Sequence, residues 1–213
     1  MVEAARVARP ALRAAIRCLT RTGPDAGDSR CAAGQSYLFG GQKQKPTLID
    51  IREEQPGDIT AIRDVNRRAF DQDQEDNIID ALRSNGAALL SLVATVHGQV
   101  VGHIMYSPVS VGELTGAALG PMAVLPDHQR LGVGSRLVEA GNRRLKNAGC
   151  PFIIVVGHAS YYPRFGFGPA SNRGITCEWE VPNDAFMLLV LDEAKMHGVS
   201  GLAKYRHEFS SVS

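Results

Sequence analysis

Between residues 117 and 156 the chain reads as apolar strand, loop, helix, apolar strand, and that order limits the possible folds more than any other stretch. Residues 117–124 are almost wholly apolar, and Pro126 and Asp127 break the run. A helical period follows over 134–148. Leu137, Val138, Gly141, Leu145 and Ala148 share one side, while Arg136, Glu139, Asn142, Arg143 and Lys146 lie mostly elsewhere. Residues 152–156, Phe-Ile-Ile-Val-Val, form the second strand. Two strands joined through one helix run parallel, because the crossover carries the chain back to the same end of the sheet. The expected fold is therefore mixed α/β with at least one parallel pair.

The remaining segments suit antiparallel partners. Residues 48–52 alternate apolar and polar, as a half-buried strand does. A helix is expected from Gly57-Asp58 to Phe70, with Asp58 as N-cap and Ile62, Val65, Ala69 and Phe70 inward. A second helix carries Ile78, Ile79 and Leu82 and stops near Asn85-Gly86. Residues 89–97 and 100–111 read as a hairpin around Gly98-Gln99, and 186–190 and 201–209 as closing strands.

A chain of 213 residues with 44% hydrophobic and 21% charged content has room for one good core, so one domain plus a tail is expected. The net charge of +1 argues against a nucleic-acid partner held by bulk electrostatics. No run of 18 apolar residues is present, so no membrane-spanning helix is expected. Cys18, Cys31, Cys150 and Cys177 form no CxxC pair and have no accompanying His spacing, which points away from a metal site and toward reduced thiols. Arg6, Arg9, Arg13, Arg17 and Arg21 recur among alanines and leucines, and 34–45 reads as a linker. Residues 1–46 are accordingly read as an extension, disordered or targeting, 47–209 as the domain and 210–213 as a tail. A cytoplasmic location is expected, with an organellar one as the alternative that the arginines raise. Oligomeric state is not legible.

The loop between the first strand and the helix carries the chemistry. Gln129-Arg130-Leu131-Gly132-Val133-Gly134 places two glycines at a helix N-terminus. The first backbone N–H groups there have no partner inside the helix, and the macrodipole is positive, so a diphosphate can be held by main-chain donors. Glycine lets phosphate oxygens come close to the backbone. A dinucleotide fingerprint would need glycine where Leu137 stands, and a P-loop would need Gly-Lys-Ser/Thr in place of Gly134-Ser135-Arg136.

These strings resemble the GCN5-related N-acetyltransferase (GNAT) family. Its acetyl-CoA signature is matched by Met122-Ala123-Val124 followed by Gln129-Arg130-x-Gly132-x-Gly134, and its second signature by Tyr161-Tyr162-Pro163-Arg164-Phe165-Gly166-Phe167 after the strand at 152–156. The segment from about 47 to 209 is similar to a bacterial branch of that family. The resemblance implies a single-domain GNAT fold, a mostly antiparallel central sheet with a parallel, splayed strand pair at the acetyl-CoA site. It implies acetyl-CoA as cosubstrate, bound by Met122, Ala123, Val124, Gln129, Arg130, Leu131, Gly132, Val133, Gly134, Ser135 and Tyr162, with no metal. The backbone N–H of Met122 would face the acetyl oxygen as a partial oxyanion hole. Tyr162 matches the family's tyrosine, a phenol suited to protonate the departing thiolate, and Tyr161 is the neighbouring alternative.

Many family members carry a glutamate on the signature strand, where this chain has Leu119, Gly120 and Pro121. The candidates for the base are Glu75, His103 or a chain of water. His158 and Arg164 are candidates for the cosubstrate mouth. The expected acceptor is a small-molecule amine or a peptide or protein amine, and the acidic stretch 71–76 favours a cationic one. Two alternatives accompany this reading: a non-catalytic acyl-CoA-binding or sensing module, and transfer of a longer acyl chain.

Overall fold

A computed structural model of the chain describes residues 48–70 and 74–209, the side chains of 74–77 excepted. Strand β1 (Ile49–Glu53) leads through a 3-10 turn at Pro56–Asp58 into helix α1 (Ile59–Phe70). Helix α2 (Gln74–Ser84) precedes β2 (Leu90–Val96), β3 (Gln99–Val111) and β4 (Leu114–Val124). Helix α3 (Val133–Asn147) then crosses to β5 (Phe152–Val156). The chain ends with β6 (Gly168–Pro169), β7 (Ile175–Cys177), β8 (Phe186–Val190) and β9 (Gly201–Lys204).

The nine strands form one sheet in the order β1-β2-β3-β4-β5-β8-β6, with β9 joined to β3 and β7 to β9. All the pairs are antiparallel except β4–β5 and β7–β9. The β2–β3 hairpin turns through His97 (φ 51°) and Gly98 (φ 80°), two successive left-handed residues whose twist matches that of the flanking strands.

Period-2 alternation divides the core between the two faces of the sheet. On one face Ile104, Tyr106, Leu119 and Val124 pack beneath Leu137 and Val138 of α3. On the other, Met105 meets Ile78, Ile79 and Leu82 of α2, while Ala123 meets Val65 and Phe70 of α1. Ile62 and Val65 are fully buried, each worth about 1.5–3 kcal/mol of transfer free energy. Gly141 of α3 lies flush against the ring and hydroxyl of Tyr106, so any side chain there would overlap it.

Several expectations need correction. The chain enters the helix through the 3-10 turn, whose N-cap is Gln55 rather than Asp58; Asp58 reaches back to accept the Gln55 N–H at 2.8 Å while pairing with Arg52 at 2.6 Å. The strand expected over 201–209 stops at Lys204, and His207–Phe209 is a 3-10 turn. Glu208 anchors that turn, accepting from Arg206 at 2.8 Å and from Asn85 at 2.9 Å. The β4 strand begins at Leu114 rather than 117, because it continues the hairpin with β3. The extension over 1–46 and the tail over 210–213 lie outside the described residues.

Candidate functional site

The parallel pair β4–β5 is closed at one end and open at the other. Pairing runs from Ala117↔Ile153 to Leu119↔Val155 and stops. At the closed end Gly116 touches Phe152 so tightly that an added Cβ would lie 2.6 Å from its carbonyl oxygen. Beyond Leu119, β4 bulges: Gly120 and Pro121 together oppose the single residue Met105 between the Tyr106↔Leu119 and Ile104↔Met122 pairs. Proline in the bulge removes a ladder donor. Residues 120–124 therefore keep β3 on one edge and leave the edge toward β5 without a strand partner. β5 meanwhile stays paired to β8 as far as Val156↔Phe186. The two strands part there, and the β4 side of the resulting mouth is the edge of residues 122–124 that has no strand partner.

The loop below the mouth is pinned to that wall. Gln129 Nε2 donates to the carbonyl of Val124 at 3.0 Å, and its own N–H closes a turn on Pro126. Arg130 (φ 60°) and Gly132 (φ 84°) take left-handed backbone, easy for glycine and costing arginine of order 1 kcal/mol. The first bond of α3 runs from Arg136 N–H to Gly132 O at 3.0 Å, so the N–H groups of Val133, Gly134 and Ser135 precede the helical ladder. They form the positive end of a 15-residue helix. Gly134 faces the mouth: a Cβ built on it would meet Tyr161 Oη, Met122 Cε and Val124 Cγ2. Of the residues named from the motif, Met122, Val124, Gln129 and Gly134 thus lie together, while Arg130 and Leu131 are exposed.

The two tyrosines occupy different places. Tyr162 is buried within the core under α3, its ring over Gly157 just past the end of β5 and edge-on to Phe167 at 5.6 Å. Tyr161 is half-buried, with the Arg164 guanidinium 4.8 Å from its ring centroid. Tyr106 lies behind both. Burial and the neighbouring Tyr162 and Tyr161 raise its pKa well above the phenol range, so it stays protonated.

Of the base candidates, Glu75 falls in the first turn of α2, and its side chain lies outside the described residues, as do Asp71 and Asp73. His103 is fully buried on the α1 face, cross-strand from Ala123. Its Nε2 is 2.9 Å from Ser91 Oγ, which donates to Glu54, and its Nδ1 is 3.4 Å from Asn66 Nδ2. That pattern specifies a neutral Nε2–H tautomer, and burial lowers the pKa against the favourable pull of Glu54. Both ring nitrogens are engaged, which withholds His103 from an incoming amine. Glu54 also pairs with Arg83 at 2.7 Å; although burial opposes its charge, contacts with His103, Arg83 and Ser91 hold its pKa down to about 2. This network joins β1, β2, β3, α1 and α2 behind the mouth, and sequence reading missed all of it except His103.

Cys150 and Cys177 are unpaired, and burial pushes both thiols up, Cys177 to about 11, the reverse of what a thiolate nucleophile needs. Cys18 and Cys31 lie outside the described residues. Among the described residues no cluster of His, Cys, Asp or Glu could hold a metal ion, and no helix is long and apolar enough to cross a membrane.

Comparison with known proteins places this architecture. Residues 50–167 match the Acetyltransferase (GNAT) family. The chain is 35% identical over 163 residues to a protein of Escherichia coli K12 named uncharacterized N-acetyltransferase YhbS, covering 75% of this chain and 98% of that one. The crystal structure of E. coli YhbS in complex with CoA superposes with a TM-score of 0.76 at 31% identity, covering 81% of this chain and 98% of the other. A GNAT family acetyltransferase from Brucella melitensis in complex with acetyl-CoA gives 0.63 at 34% identity, over 76% and 99%.

Proposed function

The chain belongs to the acetyltransferase (GNAT) family, and from that premise we propose that it moves an acetyl group from acetyl-CoA to a primary amine by direct attack in a ternary complex. The observation that carries the reading is the mouth itself, a stretch of β4 without a strand partner on its β5 side, next to a glycine-bearing helix N-terminus. Related proteins crystallised with CoA and acetyl-CoA support the cosubstrate. In this reading the N–H groups of Val133, Gly134 and Ser135, with the loop Gln129, Arg130, Leu131 and Gly132, take the diphosphate. Main-chain groups of Met122, Ala123 and Val124 take the pantetheine arm and the acetyl oxygen. The amine nitrogen bonds to the thioester carbonyl carbon and the C–S bond breaks. Tyr162 gives its proton to the departing thiolate, and the amine's proton leaves through Glu75 or water. The tyrosine regains its proton from solvent, so no covalent enzyme intermediate is needed.

The acceptor is a small-molecule amine or an amine of a peptide or protein. We assign the domain to residues 47–209, flanked by the extension and the short tail, and place the protein in the cytoplasm, where acetyl-CoA and reduced thiols coexist. The test is thiol release from acetyl-CoA across polyamines, amino acids, aminoglycosides, aryl amines and lysine-bearing peptides. Turnover with one class is expected. Tyr162→Phe should lower it at least tenfold, about 1.4 kcal/mol in the barrier, with acetyl-CoA affinity nearly kept. Unchanged turnover would remove Tyr162 from the reaction, and tight binding with no turnover on any amine would favour a sensing module.

A further inference from the structure

Gly134 is crowded from one side. A Cβ on it would lie 2.9 Å from Tyr161 Oη, and 3.8 Å from both Met122 Cε and Val124 Cγ2. The Tyr161 phenol therefore crosses from the turn after β5 to the first turn of α3, alongside the edge of β4 that has no strand partner. Its ring is steadied from within its own turn: Tyr162 at 5.1 Å, Phe165 at 5.3 Å and the Arg164 guanidinium at 4.8 Å. The backbone is fixed separately, the Tyr161 N–H donating to His158 O at 3.0 Å.

We propose that Tyr161 is a gate on the cosubstrate groove: its phenol fills the passage between α3 and β4, and the phosphopantetheine arm of acyl-CoA enters by displacing it. This rests on the reading that the groove takes acyl-CoA. The phenol oxygen already lies against the first turn of α3, so an arm entering beside that turn and the ring would contend for the same space. The ring is half-buried and sits on a fixed backbone, so a change of rotamer clears the passage without moving the turn. Its neighbour Tyr162 is instead held between Gly157 and Phe167 in the core. A gate of this kind lowers apparent affinity by the fraction of time it stands open.

The test uses the full chain with CoA, which binds without turnover, and follows association by stopped flow and affinity by calorimetry. Tyr161→Ala should bind CoA about three- to tenfold faster and more tightly than the parent chain. Tyr161→Phe keeps the ring and loses only the oxygen nearest Gly134, so it should fall between the two, and it carries the test if the alanine variant does not fold. With fluorotyrosine incorporated, the resonance missing from the Tyr161→Phe spectrum should move when CoA is added. Slower or weaker binding in both variants would make Tyr161 a holding contact and overturn the gate, as would unchanged rates with an unmoved resonance. Failure of the parent chain to bind CoA would defeat the underlying reading as well, and calorimetry on that chain alone reports it.

Discussion

The two ends of the β4–β5 pair are built from the same kinds of residue and do opposite things. At the closed end Gly116 removes a side chain so that β4 can lie directly on Phe152, and three residue pairs stay in register. At the open end Gly120-Pro121 breaks the ladder, Gly157 makes space for the Tyr162 ring, and Gly134 makes space for the Tyr161 hydroxyl. Glycine thus serves strand packing at one end and the seating of two tyrosine side chains at the other. The parting of the two strands comes from an interrupted sheet, which leaves one edge of β4 without a strand partner.

Breaking the closed end should have the largest effect on stability. Gly116→Val would drive its Cβ to 2.6 Å from the Phe152 carbonyl and 2.7 Å from its ring, and should destabilise the fold by about 3 kcal/mol or more. Urea unfolding measures this, and a loss under 1 kcal/mol would show that the strands can part there without penalty.

A smaller effect sharpens the contrast from behind the open end. The folded pKa of Glu54 lies near 2 against an ordinary 4.5, so its contribution is complete above pH 4.5 and is lost as pH falls toward 2. Glu54→Gln should therefore lower stability at neutral pH and flatten its decline over that acid window. An unchanged acid profile would mean that the carboxylate is not held by His103, Ser91 and Arg83.

How much of this was legible follows from where the determining contacts lie along the chain. The β5 boundaries and α3, to within a residue at each end, were readable because local apolar periodicity sets them. The strand, loop and helix that carry the proposed groove residues were readable because they are consecutive, and a glycine spacing marks the turn between them. Long-range pairings left no local trace. Glu208, which anchors the turn after the last strand, answers to Asn85 on the far side of the sequence. Asp58 resembled a cap because its partner Arg52 precedes it by six residues on another element. The two-residue β6 and three-residue β7 exist because β8 and β9 offer edges. His103 looked like a candidate base in one dimension; Ser91, Glu54 and Asn66, contributed by three other segments, make it a buried tie.

The central claim is that the interrupted end of the β4–β5 pair and the first turn of α3 together hold acetyl-CoA. The most direct measurement is calorimetric titration of acetyl-CoA into the full chain and its Gly134→Val variant, with melting temperatures recorded for both. The account predicts one equivalent bound by the parent chain and at least tenfold weaker binding by the variant, about 1.4 kcal/mol, with melting temperatures within a few degrees. Equal affinities in two equally stable proteins would contradict it and place the cosubstrate elsewhere.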